Sequence, residues 1–248
     1  MPSDTEMGGP GDRFPTTRPP LMRALTTSDN GLRQQAFESL VIAYWKPVYK
    51  YIRVRRAASN EDAKDLTQAF FARALEAGYF DAYDPAKSRF RTFIRVCVDR
   101  FVSNEAKAAV RIKRGGQVNI QSLNFEAAEA EIILQNHSTE DEETFFHKEW
   151  IRSLFTLAVE ALKAECAAKG KETSFALFER YDLDGPEAAE KLTYNELASS
   201  MNLPTTQVTN SLAWTRRRFR ELVLEKLRHL TGSEEEFQAE ARRLLGPG

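Results

Sequence analysis

The residue types and spacing best suited to chemistry lie late in the chain: Thr206, Gln207, Thr209 and Asn210, then Trp214, Arg216, Arg217, Arg218 and Arg220. Short polar side chains that donate and accept can pair with base edges in a DNA major groove, where every base pair shows its own pattern. Arginines further along can hold phosphates, which fixes register without reading sequence. Both groups act together only if they share the outward side of one helix. Thr193-Tyr194-Asn195-Glu196 is a T-x-x-E capping box that starts a first helix carrying Leu197, Ala198 and Met201 inward. Asn202 is expected to take the left-handed conformation that joins it to a second helix, since Asn tolerates that conformation better than most residues. Val208, Leu212, Thr215, Phe219, Leu222 and Leu227 then form the buried stripe of that second helix. The bland alternative stays open, because capped helix pairs and arginine runs also occur as ordinary packing and solvated surface.

A second basic set lies upstream. From Ala86 to Arg114 there are nine Lys or Arg against two acids, whereas Glu126 to Glu149 holds eight acids against Lys148. Over the whole chain 35 basic and 36 acidic residues nearly cancel, so it is the blocks and not the total that speak of separate surfaces. Phe90, Phe93, Ile94, Cys97 and Phe101 share one face of a helix expected over 90–109, and Arg91, Arg95, Arg100 and Lys107 lie off it.

The elements that must position these sets are helical. Ser59-Asn60-Glu61-Asp62 caps a helix that buries Ala63, Leu66, Phe70 and Ala74 and stops at Gly78. Leu40, Val41, Tyr44 and Val48 mark an earlier helix that Pro47 should kink or restart, because proline removes an N–H and crowds the preceding turn. A further helix begins near Phe145 and runs through Trp150, Leu154 and Leu162, and Ser233 opens a last one with Phe237, Ala241, Leu244 and Leu245 inward. Alternation of the kind strands need is missing, so the fold class predicted is all-α. The expected organisation is a disordered tail (1–20), a small helical domain (21–114), an acidic linker (115–146), a second helical domain with a helix-turn-helix (147–231) and a helical extension (232–248).

Cys97 and Cys166 stand alone, and His137, His147 and His229 have no metal-ligand spacing; His137 and His147 fall in or beside the acidic stretch and read as surface residues. Asp182-Leu183-Asp184-Gly185 lacks the spacing of a calcium loop and reads as a turn. With neither a phosphate loop nor a nucleophile elbow, an enzyme is not expected, and no cofactor is predicted. The chain has no run of residues apolar enough for a signal peptide or a membrane span, which predicts a reduced cytoplasmic protein.

Taken together, these segments resemble a bacterial RNA polymerase sigma factor of the extracytoplasmic-function type, with its second and fourth sigma domains. Asp62-Ala63-Lys64-Asp65-Leu66-Thr67-Gln68 followed by Phe71 is similar to the family's core-binding helix, Phe90-Arg91-Thr92-Phe93-Ile94 to the segment that reads and melts the minus-ten element, and Leu192 to Arg220 to the part that reads the minus-thirty-five element. The resemblance covers about residues 35–230. It implies that Asp62, Asp65, Leu66, Gln68 and Phe71 bind core RNA polymerase. It assigns Lys87, Arg89, Arg91, Arg95, Arg100, Asn104, Lys107 and Arg111 to the minus-ten element. Thr206, Gln207, Thr209, Asn210, Trp214, Arg216, Arg217 and Arg220 fall to the minus-thirty-five element. Ala69, Thr209 and Ser211 depart from the family pattern, the first by removing an acid and the others by replacing bases. Core polymerase and promoter DNA are the implied partners, with an anti-sigma factor or another regulator. A free-standing helix-turn-helix regulator is the other reading of the same residues.

Overall fold

In the computed structural model, residues 21–108, 123–134, 140–184 and 192–246 are described. Among them the regular structure is all helical, with no strand: α1 (Leu21–Leu25), α2 (Asn30–Arg55), α3 (Asn60–Glu76), α4 (Phe90–Ala108), α5 (Phe125–Leu134), α6 (Glu142–Ala168), α7 (Glu172–Phe178), α8 (Tyr194–Ser200), α9 (Thr205–Leu230) and α10 (Glu234–Leu245). A 3-10 turn (Tyr79–Ala82) follows α3, and a π turn (Glu179–Leu183) follows α7.

The centre of the packing is α2. Its Phe37, Leu40, Tyr44, Val48, Tyr49, Tyr51 and Ile52 are buried on more than one side, as expected of a helix surrounded by others. It packs against α1, α3, α5 and α6, and α6 in turn carries α9. The two units expected from the sequence therefore share one buried cluster, which runs from Leu21 to Phe237.

Pro47 does not restart α2, which runs from Asn30 to Arg55 as one element. The proline leaves the Ala43 carbonyl without its donor four residues on, and the Ser153 hydroxyl of α6 donates to that carbonyl at 2.9 Å. Ser153→Ala is expected to cost about 1–2 kcal/mol, because a buried carbonyl is left unpaired. With Pro47→Ala in the background the restored N–H takes over, and the loss should fall below about 0.5 kcal/mol. Equal losses in both backgrounds, measured by urea unfolding, would disprove this account.

Part of the stretch expected as an acidic linker is α5, docked on α2. Phe125 meets the rings of Trp45 and Tyr49 at 5.3 and 5.0 Å, Glu131 pairs with Lys46 and Lys50 at 2.7 Å each, and Glu129 pairs with Arg53 at 3.0 Å. An acidic run reads as solvated only until a basic stripe is found to face it. Lys46, Lys50 and Arg53 recur at helical spacing, and so do Phe125, Ala128 and Ile132, which was the signal available in the sequence.

Candidate nucleic-acid interface

The helix pair α8 and α9 is set up by local chemistry. Thr193 accepts from the Glu196 N–H and Glu196 reaches back to the Thr193 N–H at 2.7 Å, the reciprocal cap expected from the sequence. Asn202 has φ of 53°, and the Leu203 N–H returns to the Ala198 carbonyl at 2.9 Å, so the chain reverses within four residues before α9. Val208, Leu212, Thr215, Leu222 and Leu227 are buried as expected. Thr206, Gln207, Thr209 and Asn210 are exposed on the first turns of α9.

The cations that follow divide. Arg217 is exposed. Arg220 is exposed too and donates to the Leu245 carbonyl at 3.1 Å. Arg216 instead makes a two-pronged pair with Asp182 at 2.9 Å and donates to the Tyr194 hydroxyl at 2.9 Å, and Asp182 in particular pushes its pKa up. It therefore ties α9 to the π turn and to α8, and Asp182 of the stretch that reads as a turn is its counter-ion. Arg218 binds Glu165, Glu221 and Glu225. Half-buried Trp214 lies under Lys171, whose Nζ is 3.8 Å from the ring centroid, a cation–π contact beside the exposed face that sequence reading missed. Ser211 faces inward and pairs with Ser174 of α7 at 3.2 Å, so a long basic side chain there would be partly buried.

On α3, Asp62, Asp65 and Gln68 are exposed together with Ala69, and Leu66 is half-buried. Phe71 departs from expectation: it is fully buried, 5.1 Å from Phe70 and 6.4 Å from Phe37, so it holds α3 in place and is not available to a partner.

The basic face expected on α4 is largely occupied. Lys87, Arg89, Arg100 and Asn104 are exposed, Lys87 pairing with Asp84 at 3.2 Å. Arg91 is 2% exposed, paired with Glu240 of α10 at 2.9 Å, with its guanidinium 5.2 Å from the Trp150 ring centroid. Arg95 binds Glu143 of α6 and Asp99 at 2.8 Å each. The backbone of Lys107 lies in α4, but its side chain and all of Arg111 lie outside the described residues.

His147, expected at the surface, is 6% exposed and stacked 6.0 Å from Trp150, and neither ring nitrogen has a partner. Burial, reinforced by the charges of Arg91 and Arg243, pushes its pKa down to about 4. His137 lies outside the described residues. The last helix α10 rests on α9 but also reaches α4: Glu236 accepts from the Phe90 N–H at 3.0 Å and from the Gly232 N–H at 2.8 Å.

Among the described residues no helix is long and apolar enough to cross a membrane. Comparison of the chain with protein-family models, with curated proteins and with solved structures returned no match.

Proposed function

We propose that this protein is a sigma factor, a subunit without catalytic activity of its own that binds core RNA polymerase and directs transcription initiation to chosen promoters in the cytoplasm. The observation that carries the reading is the α8–α9 pair, whose left-handed Asn202 leaves Thr206, Gln207, Thr209 and Asn210 exposed as a row of donors and acceptors on a helix anchored along its other side. The exposed Asp62, Asp65 and Gln68 on α3 add a face suited to a basic partner surface, and Arg89 and Arg100 add phosphate ligands. An anti-sigma factor or another regulator fits a protein of this class.

One observation favours the second reading, a free-standing DNA-binding regulator. Promoter elements about 25 base pairs apart lie about 85 Å apart on straight duplex at about 3.4 Å per pair. A chain of this length folded around one core has a radius of gyration of about 18 Å. The sigma reading therefore requires α4 and α9 to separate on polymerase, whereas a regulator could act as it stands.

Co-purification of the tagged full chain with bacterial core RNA polymerase decides between them. Wild type is expected to be retained, and Asp65→Arg with Gln68→Ala to lose about tenfold or more in affinity through charge reversal on the docking face. No retention of wild type, with tight sequence-specific binding of duplex DNA by the protein alone, would establish the regulator.

A further inference from the structure

Two carboxylates of α10, those of Glu236 and Glu240, both end at the start of α4. Glu236 accepts from the Phe90 N–H, the first amide of that helix, from 146 residues away in sequence. Glu240 lies 3.2 Å from Arg89 and 2.9 Å from Arg91. A helix N-terminus flanked by two guanidinium groups, one on the residue before its first amide and one on the residue after, is the combination that holds phosphate oxygens. Two acids of one helix fill both parts of it.

The contact is also poorly satisfied where it is most buried. Glu240 is 0% exposed, yet neither of its oxygens accepts a hydrogen bond, and Nε and one terminal nitrogen of Arg91 are likewise buried without an acceptor. The pair is held by charge at short distance and lacks aligned N–H groups. A buried ion pair of that kind gains little over its desolvation cost, so it makes a weak permanent joint. It is well suited to exchange for another anion.

The turn that delivers α10 is equally tight. A Cβ on Gly232 would come within 2.3 Å of the Tyr83 hydroxyl and 2.5 Å of the ring. That ring is wedged against Phe90 and Phe93 at 5.0 and 5.3 Å. Docking of α10 thus depends on the absence of a side chain at Gly232.

We propose that α10 is an autoinhibitory latch: Glu236 and Glu240 occupy the phosphate-binding start of α4 in the resting protein, and α10 must leave for DNA to engage Arg89 and Arg91. This rests on the assignment of α4 to DNA in the proposed function. Removing the carboxylates leaves Arg91 as a buried cation with no counter-ion, which expels either the arginine or the helix.

The test uses the full chain and a fluorescein-labelled 30-base-pair duplex with a ten-nucleotide unpaired bubble (about 30 and 10, within the range single-stranded binding sites require), read by anisotropy across a salt series. Glu236→Gln with Glu240→Gln, and separately the uncharged change Gly232→Ala, should each bind about tenfold more tightly than wild type. Their plots of log affinity against log salt should steepen by about one to two, as one or two further phosphate contacts require. Glu234→Gln with Glu235→Gln makes the same change in net charge on the same helix and should stay within about threefold of wild type at matched salt. Hydrogen exchange of the α10 amides is followed in parallel and should rise in the two latch variants while α9 keeps its protection. Equal gains in the latch and control variants would overturn the latch, since net charge alone would explain them. Unchanged α10 exchange with unchanged binding would overturn it too and leave the assignment of α4 to DNA standing. Release of α10 with no gain in binding would overturn both together.

Discussion

Lys50→Met is expected to lower the unfolding free energy by about 3–5 kcal/mol, the usual cost of removing one member of a buried ion pair. The Lys50 ammonium is 1% exposed and lies 2.7 Å from Glu131 of α5 and 2.7 Å from Glu149 of α6. It is the point at which α2, α5 and α6 are joined by charge. Methionine fills most of the volume but leaves Glu149, itself 2% exposed, with the mostly exposed Arg152 as its remaining cation. Changing Glu149→Leu as well removes both charges and should return much of the loss, because a buried pair and its apolar replacement differ little in net stability. The melting temperature of the single variant should drop by about 10 °C for a protein of this size. A loss under about 1 kcal/mol would mean that the ammonium is not held between those carboxylates. Unfolding in two steps, with only one of them shifted, would mean that the shared cluster is not one cooperative unit.

Trp150→Ala should cost a similar amount, about 3–5 kcal/mol, for a different reason. The indole is 1% exposed and packs against both His147 and the Arg91 guanidinium, so its loss opens a cavity and removes a cation–π contact in the same stroke. Trp150→Phe keeps an aromatic face and should lose about 1–2 kcal/mol. The variant also has a signature that simple destabilisation lacks. His147 is kept neutral mainly by burial, with a pKa of about 4 against an ordinary value of 6.5. The unfolded chain therefore takes up that proton first, so the stability His147 lends is complete above pH 6.5 and is lost as pH falls toward 4. Water entering the cavity should raise the His147 pKa toward its ordinary value and flatten that part of the pH dependence. Glu236, whose carboxyl burial pushes upward, contributes to the pH dependence in the opposite sense, so a histidine NMR titration is used to follow His147 alone. A His147 pKa still near 4 in Trp150→Ala would show that the indole does not exclude water there.

Both predictions concern contacts that join parts of the chain far apart in sequence, and these are what sequence reading did not reach. The caps at Ser59 and Thr193, the stop at Gly78, the left-handed Asn202 and the buried stripe of α9 were legible because each is settled by residues within about four positions or by helical periodicity. The all-helical class followed from the same local rules. The polar row at the start of α9 was legible as an exposed set, since a stripe that buries one side of a helix dictates which residues are left on the other.

The fate of the charges was decided elsewhere. Arg91 and Arg95 in the upstream set and Arg216 in the later one all read as cations for DNA, but Glu240, Glu143 and Asp182 take them up, and the acidic stretch that reads as linker supplies α5 and its pairs with α2. Phe71 could be placed on α3 but not assigned to its inner side, and nothing near Pro47 foretold that Ser153 would donate to the Ala43 carbonyl that the proline leaves without a partner. The sequence by itself determined the capped starts at Ser59, Thr193 and Ser233 and which face of those helices is apolar, because those are short-range questions of backbone geometry and side-chain period. Only the tertiary structure decided which cations remain free for an anionic partner, because a charge carries its sign in the sequence while the carboxylate that neutralises it lies on another helix.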